Sequence, residues 1–319
     1  MIILKHLSEL ERWNPKGIAC TIGNFDGVHK AHQAIIKKVK AKAKKKKIPS
    51  LVITFDYRIN KEKKPRITSL THKMILLERC GIDACYVFKL DNRFGKISAQ
   101  NFLKKILFKK FHLSYLHVGY NFHFGNKREG TPLMIKEWAD KCNVNCVIED
   151  SISANKLAIS STRIRQLIKD GHLERAKELL GRPYSIFSSV VKGAGRGTVI
   201  GVPTANLDIH SEILPPRGVY AVDVSFINTK QKRTSKGMFF CEKADKKIYR
   251  SVLNIGYCPT FGPGTPMHAE VHIPHFSKNI RKALLEVHFL KRLRSEQTFK
   301  SKDGLLRQIM KDINNSENV

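Results

Sequence analysis

Long hydrophobic runs are missing from this chain of 319 residues. The longest, 51–55 and 116–119, fall far short of the ~20 apolar residues a membrane-crossing helix needs, so no helical span is expected. Lys5, His6, Glu9, Glu11 and Arg12 interrupt the first sixteen positions before the apolar segment of a secretory signal can form. The expected location is the cytoplasm. The seven cysteines, at 20, 80, 85, 142, 146, 241 and 258, include no Cys-x-x-Cys pair, and no histidine repeat at structural-zinc spacing accompanies them. Reduced thiols packed as small hydrophobic groups are the expectation, and no structural metal follows. Acidic residues are short too, 27 against 58 lysines and arginines, which leaves the chain at +31. What is present in quantity is apolar side chain, 42% of residues. That fills a core in each of the two domains suggested for this length at roughly 100–200 residues per domain.

The excess charge is shared along the chain, +21 up to Arg182 and +10 beyond it, so it is not a detachable tail. Its densest stretch, 37–47, holds eight lysines in eleven residues and prolongs a helix whose Ala31, Ile35, Ile36 and Val39 can face a core. A phosphate-attracting surface for nucleic acid or polyanionic metabolites is one reading; a solvated helix end is the other. No helix-turn-helix, zinc-finger or RNA-binding aromatic signature accompanies the lysines, and nucleic acid is not the expected partner.

Up to about residue 181, short apolar runs alternate with helical periodicity. Strands are expected at 18–22, 51–55, 84–88, 116–118 and 145–148, and helices at 31–46, 70–79, 98–108, 132–141 and 162–180. Strict alternation of this kind argues a parallel sheet covered by helices. Beyond Pro183 the texture changes to β-branched runs punctuated by glycine and proline: 184–192, 218–226, 238–240, 249–255, 269–273 and 284–289. Six such segments suggest a small antiparallel barrel, followed by a helix over 297–313. The expected domains are 1–182 and 183–319.

Residues 21–32 read TIGNFDGVHKAH, where the first expected strand turns into the first long helix. In open α/β sheets, ligands bind at the carboxyl ends of the strands. Gly23 and Gly27 permit tight turns and close approach of a phosphate. His29 and His32, three apart at the opening of a helix, can address the same anion beside the positive end of the helix dipole. The string resembles the G-x-F-D-G-x-H-x-G-H motif of the nucleotidyltransferase superfamily, in the form carried by bacterial bifunctional riboflavin kinase/FAD synthetases, with Ala31 standing where that family has glycine.

Residues 118–125, VGYNFHFG, resemble that family's G-x-[DN]-F-x-F-G loop, which implies that Asn121 touches flavin and nucleotide. Residues 159–165, ISSTRIR, resemble its I-S-S-T-x-x-R motif. Independently of the family, Ser160 or Ser161 can cap the following helix and leave N–H groups, hydroxyls and two arginines facing an anion. The resemblance implies phosphate contacts from Gly23, Phe25, Asp26, Gly27, Ser161, Thr162 and Arg165, and charge neutralisation by His29 and His32.

Farther along, residues 190–207 read VVKGAGRGTVIGVPTANL. Gly193, Gly195 and Gly197 form a loop able to wrap a nucleotide with backbone amides, although the Gly-Lys-[Ser/Thr] ending of a Walker A loop is absent. The PTAN tetrapeptide at 203–206 resembles the riboflavin kinase signature, implying that Thr204 and Asn206 organise Mg2+ and the ATP phosphates. The segments 214–222, 254–262, 269–273 and 293–299 follow in that family's order. Glu270 alternates with His272 on one face of an expected strand. Resemblance assigns Glu270 the general-base role toward the ribityl hydroxyl and makes Arg294 a flavin contact, a residue equally readable as surface.

The likeness runs from about residue 19 to 312. It implies an enzyme that phosphorylates riboflavin to FMN in its C-terminal domain and adenylylates FMN to FAD in its N-terminal domain, with ATP as co-substrate and Mg2+ as cofactor. Two other readings stay open: a kinase whose adenylyltransferase domain is impaired or repurposed, on the strength of Ala31 and the lysine excess, and a basic nucleic-acid-binding protein built on these folds. Oligomeric state is not expressed in the sequence.

Overall fold

Every residue of β2 and β3, once β1 (Ile2–Leu4) and α1 (Leu7–Trp13) are counted ahead of them, is buried: β2 is Ile18–Ile22 and β3 is Ser50–Asp56. Unbroken burial marks strands covered on both faces, as parallel sheets require. The computed structural model describes residues 1–13, 15–56, 65–91, 94–154, 157–193, 201–209, 212–234, 237–257, 267–299 and 301–319. Its contacts divide into two compact units. One comprises Met1–Lys64, Lys73–Ser160 and Thr229–Glu242, the other Pro65–His72, Ser161–Asn228 and Lys243–Val319.

In the first unit, α2 (Lys30–Lys46) connects β2 to β3, and β4 (Ala84–Lys89), β5 (Leu113–Gly119) and β6 (Asn145–Glu149) complete the sheet. The six strands run parallel in the order β1-β4-β3-β2-β5-β6. Strand β1 was not expected from the sequence; it pairs parallel with β4 and, on its other edge, antiparallel with Met238 and Phe239. The chain steps from β2 toward β3 on one side and later returns to place β5 on the other, so the order reverses between β2 and β5. Such a switch point opens a crevice at the strands' carboxyl ends. Helix α2 buries Ile35, Ile36, Val39 and Ala43, and Ile35, Val39 and Ala43 pack with Ala19 and Tyr115. Its last turn carries Lys44, Lys45 and Lys46, where cations complement the negative end of the helix. The larger core lies on the opposite face and includes Phe102, Leu103, Leu107, Phe111, Ile135 and Ala139. The expected helix over 98–108 begins and ends in single α-turns, Ala99–Asn101 and Phe108–Lys110, around a π-helical Phe102–Leu107.

After α3 (Leu70–Arg79), α4 (Pro132–Lys141) and the minor hairpin of β7 (Ser153–Ala154) and β8 (Leu157–Ala158), the helical stretch expected over 162–180 is two helices. These are α5 (Ser161–Lys169) and α6 (Leu173–Leu180). The break falls at Gly171, whose φ of 80° belongs to the left-handed region that ends helices.

An antiparallel barrel, in the second unit apart from residues 229–242, is built of β9 (Ser185–Val191), β10 (Ala205–Leu207), β11 (Gly218–Thr234), β12 (Gly237–Tyr257), β13 (Met267–His272) and β14 (Leu284–Arg294). The ring runs β11-β14-β9-β10-β13-β12 and is closed by pairing of β12 with β11. Membership of the six differs from the expectation: 238–240 and 249–255 are one strand, β12, and the sixth is β10 within the PTAN segment. Tyr184 stacks on Phe289 and Tyr220 meets that ring edge-on, centroids 5.6 and 5.4 Å apart. Each buried tyrosine hydroxyl donates to a carbonyl, Ile213 and Pro216 respectively, which is what burying a phenol requires. The closing helix, α7, is Lys302–Glu317 rather than 297–313.

Candidate active sites

Between β2 and α2 the backbone is held in uncommon conformations: Phe25 at φ 52°, Gly27 at 80° and Val28 at 40°. Left-handed geometry costs a residue with a Cβ roughly 1–2 kcal/mol, and strain of this kind persists only where surroundings over-determine it. Here they do, because the Phe25 and Val28 side chains are buried and the Gln33 amide donates to the Val28 carbonyl at 2.7 Å. The buried Lys73 ammonium donates to the carbonyls of Asn24 and Phe55 and to the Thr54 hydroxyl, at 3.0, 3.2 and 3.0 Å. Lys73 has no motif around it; a lone lysine heading the apolar run 74–77 is the one trace it leaves in the sequence. Asp26 is buried in the same loop, and a Cβ at Gly23 would press to 3.2 Å from the Phe25 ring.

His29 is the N-cap of α2. Its Nδ1 accepts from the His32 backbone N–H at 3.4 Å, so that nitrogen carries no proton in this arrangement. The two imidazoles stack with centroids 3.5 Å apart at 15°, and the Phe25 ring lies 4.9 Å from His32. Burial, with help from His29 and the Lys73 ammonium, pushes His32 well below the ordinary 6.5 of histidine. His32 is therefore neutral at pH 7, and the helix end supplies the positive potential.

The register Thr21↔His117 sets β2 beside β5, so the loops leaving both strands emerge together at the switch point. Asn121 lies exposed in the turn after β5, and its carbonyl accepts from His123 Nδ1 at 2.9 Å. The first two motifs thus share one edge of the sheet. Ser161, Thr162 and Arg165 lie on the first two turns of α5, within the second unit.

In the barrel, two cavities meet at Thr204. The larger, about 1380 Å³, is lined among others by Thr204, Asn254, Glu270, His272, Arg294 and Phe299. The smaller, about 430 Å³, is lined by Lys192, Gly193, Thr204, Asn206, Lys278 and Arg281 among others. All of its charged lining side chains are cationic. On β13, Ala269 and Val271 are buried while Glu270 and His272 face the larger cavity, following the alternation of a strand. The Thr204 hydroxyl donates to Glu270 Oε2 at 3.4 Å, and Asn206 stands opposite Glu270 in the β10–β13 ladder.

A Cβ at Gly193 would collide with the Asn206 amide, so glycine leaves that side chain its room; Gly195 and Gly197 lie outside the described residues. Arg294 lines the cavity with its donors engaged. Nε and Nη2 reach the Asp312 carboxylate at 3.0 and 2.8 Å, and the guanidinium lies 5.8 Å from the Phe299 ring centroid. Among the described residues no three His, Cys, Asp or Glu side chains cluster for a metal. The hydroxyl of Thr204 and the amide oxygen of Asn206 are hard, uncharged donors, the kind Mg2+ accepts when phosphates and water supply the remaining ligands. No helix among the described residues is long and apolar enough to cross a membrane.

The family model of FAD synthetase matches residues 11–163, and that of riboflavin kinase matches residues 180–319. A bifunctional riboflavin kinase/FMN adenylyltransferase of Haemophilus influenzae is 35% identical over 93% of this chain and 92% of its own length. Proteins of the same description from Escherichia coli and Bacillus subtilis are 32% and 31% identical, covering 98% and 91% of this chain and 96% and 89% of theirs. A solved structure described as a macrolide-efflux protein from Streptococcus pneumoniae superposes with a TM-score of 0.80 at 28% identity over the full length of both chains.

Proposed function

The chain belongs to the family of bifunctional riboflavin kinase/FMN adenylyltransferases, and from that membership we propose how its residues divide the work. It is a transferase that phosphorylates riboflavin with ATP to give FMN, then transfers AMP from a second ATP to FMN, giving FAD and pyrophosphate. We assign adenylyl transfer to 1–182 and the kinase to 183–319. We propose a cytoplasmic location, which ATP-dependent chemistry on these metabolites supports.

In the kinase half, the cationic smaller cavity, which Gly193 lines, takes the triphosphate. The larger cavity takes riboflavin, beside Arg294. Glu270 accepts the proton of the ribityl 5′-hydroxyl as that oxygen attacks the γ-phosphorus and ADP leaves. Thr204 stands where the two cavities meet, at the junction the phosphoryl group crosses. Thr204 and Asn206 would hold Mg2+, which when bound neutralises phosphate charge.

In the other half, an FMN phosphate oxygen attacks the α-phosphorus of ATP. His29, His32 and the N–H groups opening α2 stabilise the charge that gathers there. Gly23, Phe25, Asp26 and Gly27 shape the loop against the phosphates, and Asn121 contacts the flavin.

The observation that carries this reading is the Thr204–Glu270 contact at the meeting point of two cavities. Purified full-length protein incubated with riboflavin, ATP and Mg2+, read by chromatography, should yield FMN and then FAD. FMN without FAD removes the adenylyltransferase half, and neither product removes the reading.

A further inference from the structure

The ladder between β10 and β13 ends at Ala205↔Val271. Two residues before that pair stands Pro203, which has no N–H to continue the ladder. Its carbonyl is instead taken by a side chain from 69 positions away: His272 Nδ1 lies 2.8 Å from Pro203 O. A carbonyl only accepts, so this nitrogen carries the proton and donates, and in the neutral ring the lone pair resides on Nε2. His272 faces the same cavity as Glu270, two residues along one strand face. The next residue after Pro203 is Thr204, whose hydroxyl reaches Glu270 at 3.4 Å, close to the limit of a hydrogen bond. A small rotation of the 203–204 backbone would lose it.

We propose that His272 is a positioning residue for phosphoryl transfer: by tying the Pro203 carbonyl to the strand that bears Glu270, it sets the Thr204 hydroxyl against that carboxylate. This deepens the kinase assignment above and rests on it. The tie holds through its carbonyl a residue that has no N–H to offer the ladder, and it stiffens the backbone at the point where both cavities meet.

Two substitutions in the full-length chain separate this role from a structural one. Asparagine can offer its amide N–H near the place of Nδ1; leucine has no donor. His272→Leu should lower kcat for FMN formation about 30-fold, the scale of a small misplacement of reacting groups, with KM for riboflavin within about threefold of the parent. His272→Asn should recover most of that loss. In a Thr204→Val background, His272→Leu should cost less than about threefold, because residues acting through one another are not additive. AMP transfer to supplied FMN should be unchanged throughout.

An unimpaired His272→Leu enzyme, equal losses in the Leu and Asn forms, a change in KM alone, a full additional loss in the Thr204→Val background, or joint loss of AMP transfer would each overturn the proposal. Absence of FMN formation in the unsubstituted protein is a separate result, which overturns the kinase assignment itself.

Discussion

At the open end of the parallel sheet the chain sets two stacked imidazoles on a helix N-terminus; in the barrel it sets a carboxylate beside a threonine hydroxyl. On the proposed assignment, the difference follows the nucleophile each half receives. A ribityl hydroxyl is neutral and has to lose a proton as it attacks, so the kinase half needs a base within reach of it. The phosphate of FMN arrives as an anion. No proton has to be removed, and the barrier lies in bringing negative charges together, which calls for donors and a positive potential. Backbone follows the same division. The histidine loop stores left-handed strain at Phe25 and Val28, braced by Lys73, whereas Glu270 rides on an ordinary strand held by ladder partners on both sides.

The sharpest way to break this contrast is Glu270→Ala. FMN formation should fall roughly 100-fold or more, the contribution of a general base, while AMP transfer to supplied FMN stays near the parent rate. Loss of both activities would make Glu270 structural and erase the distinction between the sites. His29→Ala is the reciprocal change, removing both a cap and a donor. FAD formation from FMN should drop about 100-fold, as for loss of one preorganised donor, with FMN formation unaffected; an unchanged FAD rate would remove His29 from the chemistry.

The motifs were legible because their residues are neighbours in sequence, and so were long elements with clean periodicity, such as α3 and α4, whose expected limits of 70–79 and 132–141 match. Short or polar elements were not. Strand β10 spans three residues of a segment read as a binding loop, and β1 is three residues long. Strand β12 was split in two because the charged stretch 242–247 interrupts its apolar pattern. Sites assembled from distant positions leave no spacing to read. His72 sits fully buried between Glu212, 140 positions away and 3.1 Å from Nδ1, and Glu286, 3.3 Å from Nε2. Ser185 Oγ, 3.4 Å from Nε2, completes an arrangement that resembles a nucleophile, base and orienting acid. All of these side chains are buried away from solvent, and the Ser185 hydroxyl donates to Glu286 at 3.1 Å.

Histidine in these two settings gives a third, smaller prediction. Burial alone would lower His72, yet Glu212 and Glu286 outweigh it and raise the ring to about 9, the reverse of His32. The folded chain keeps a proton on His72 that the unfolded chain, titrating near 6.5, gives up first. The stability this contributes is complete below about 6.5 and drains as pH climbs through about 9. Denaturant midpoints should therefore fall between pH 7 and pH 10, and His72→Gln should flatten that decline. An identical decline in the variant would show that the imidazolium contributes nothing. His32 works in the opposite sense: its neutral folded form makes stability fall as pH drops below about 6.5.

The smallest expected effect concerns Ala31, the position where the histidine motif departs from its family. It lies in the first turn of α2, half-buried, between two histidines whose stacking and capping bond are both in place. A methyl that crowded the nucleotide would make Ala31→Gly raise the rate of FAD formation severalfold. The intact geometry argues otherwise. The variant should lose roughly 0.5–1 kcal/mol of stability, the helix cost of glycine relative to alanine, and form FAD within about twofold of the parent rate, since the stacking and the capping bond are made by atoms of His29 and His32 themselves. A large gain on Ala31→Gly would mean that the adenylyltransferase half of this chain works under a steric handicap that its kinase half does not share.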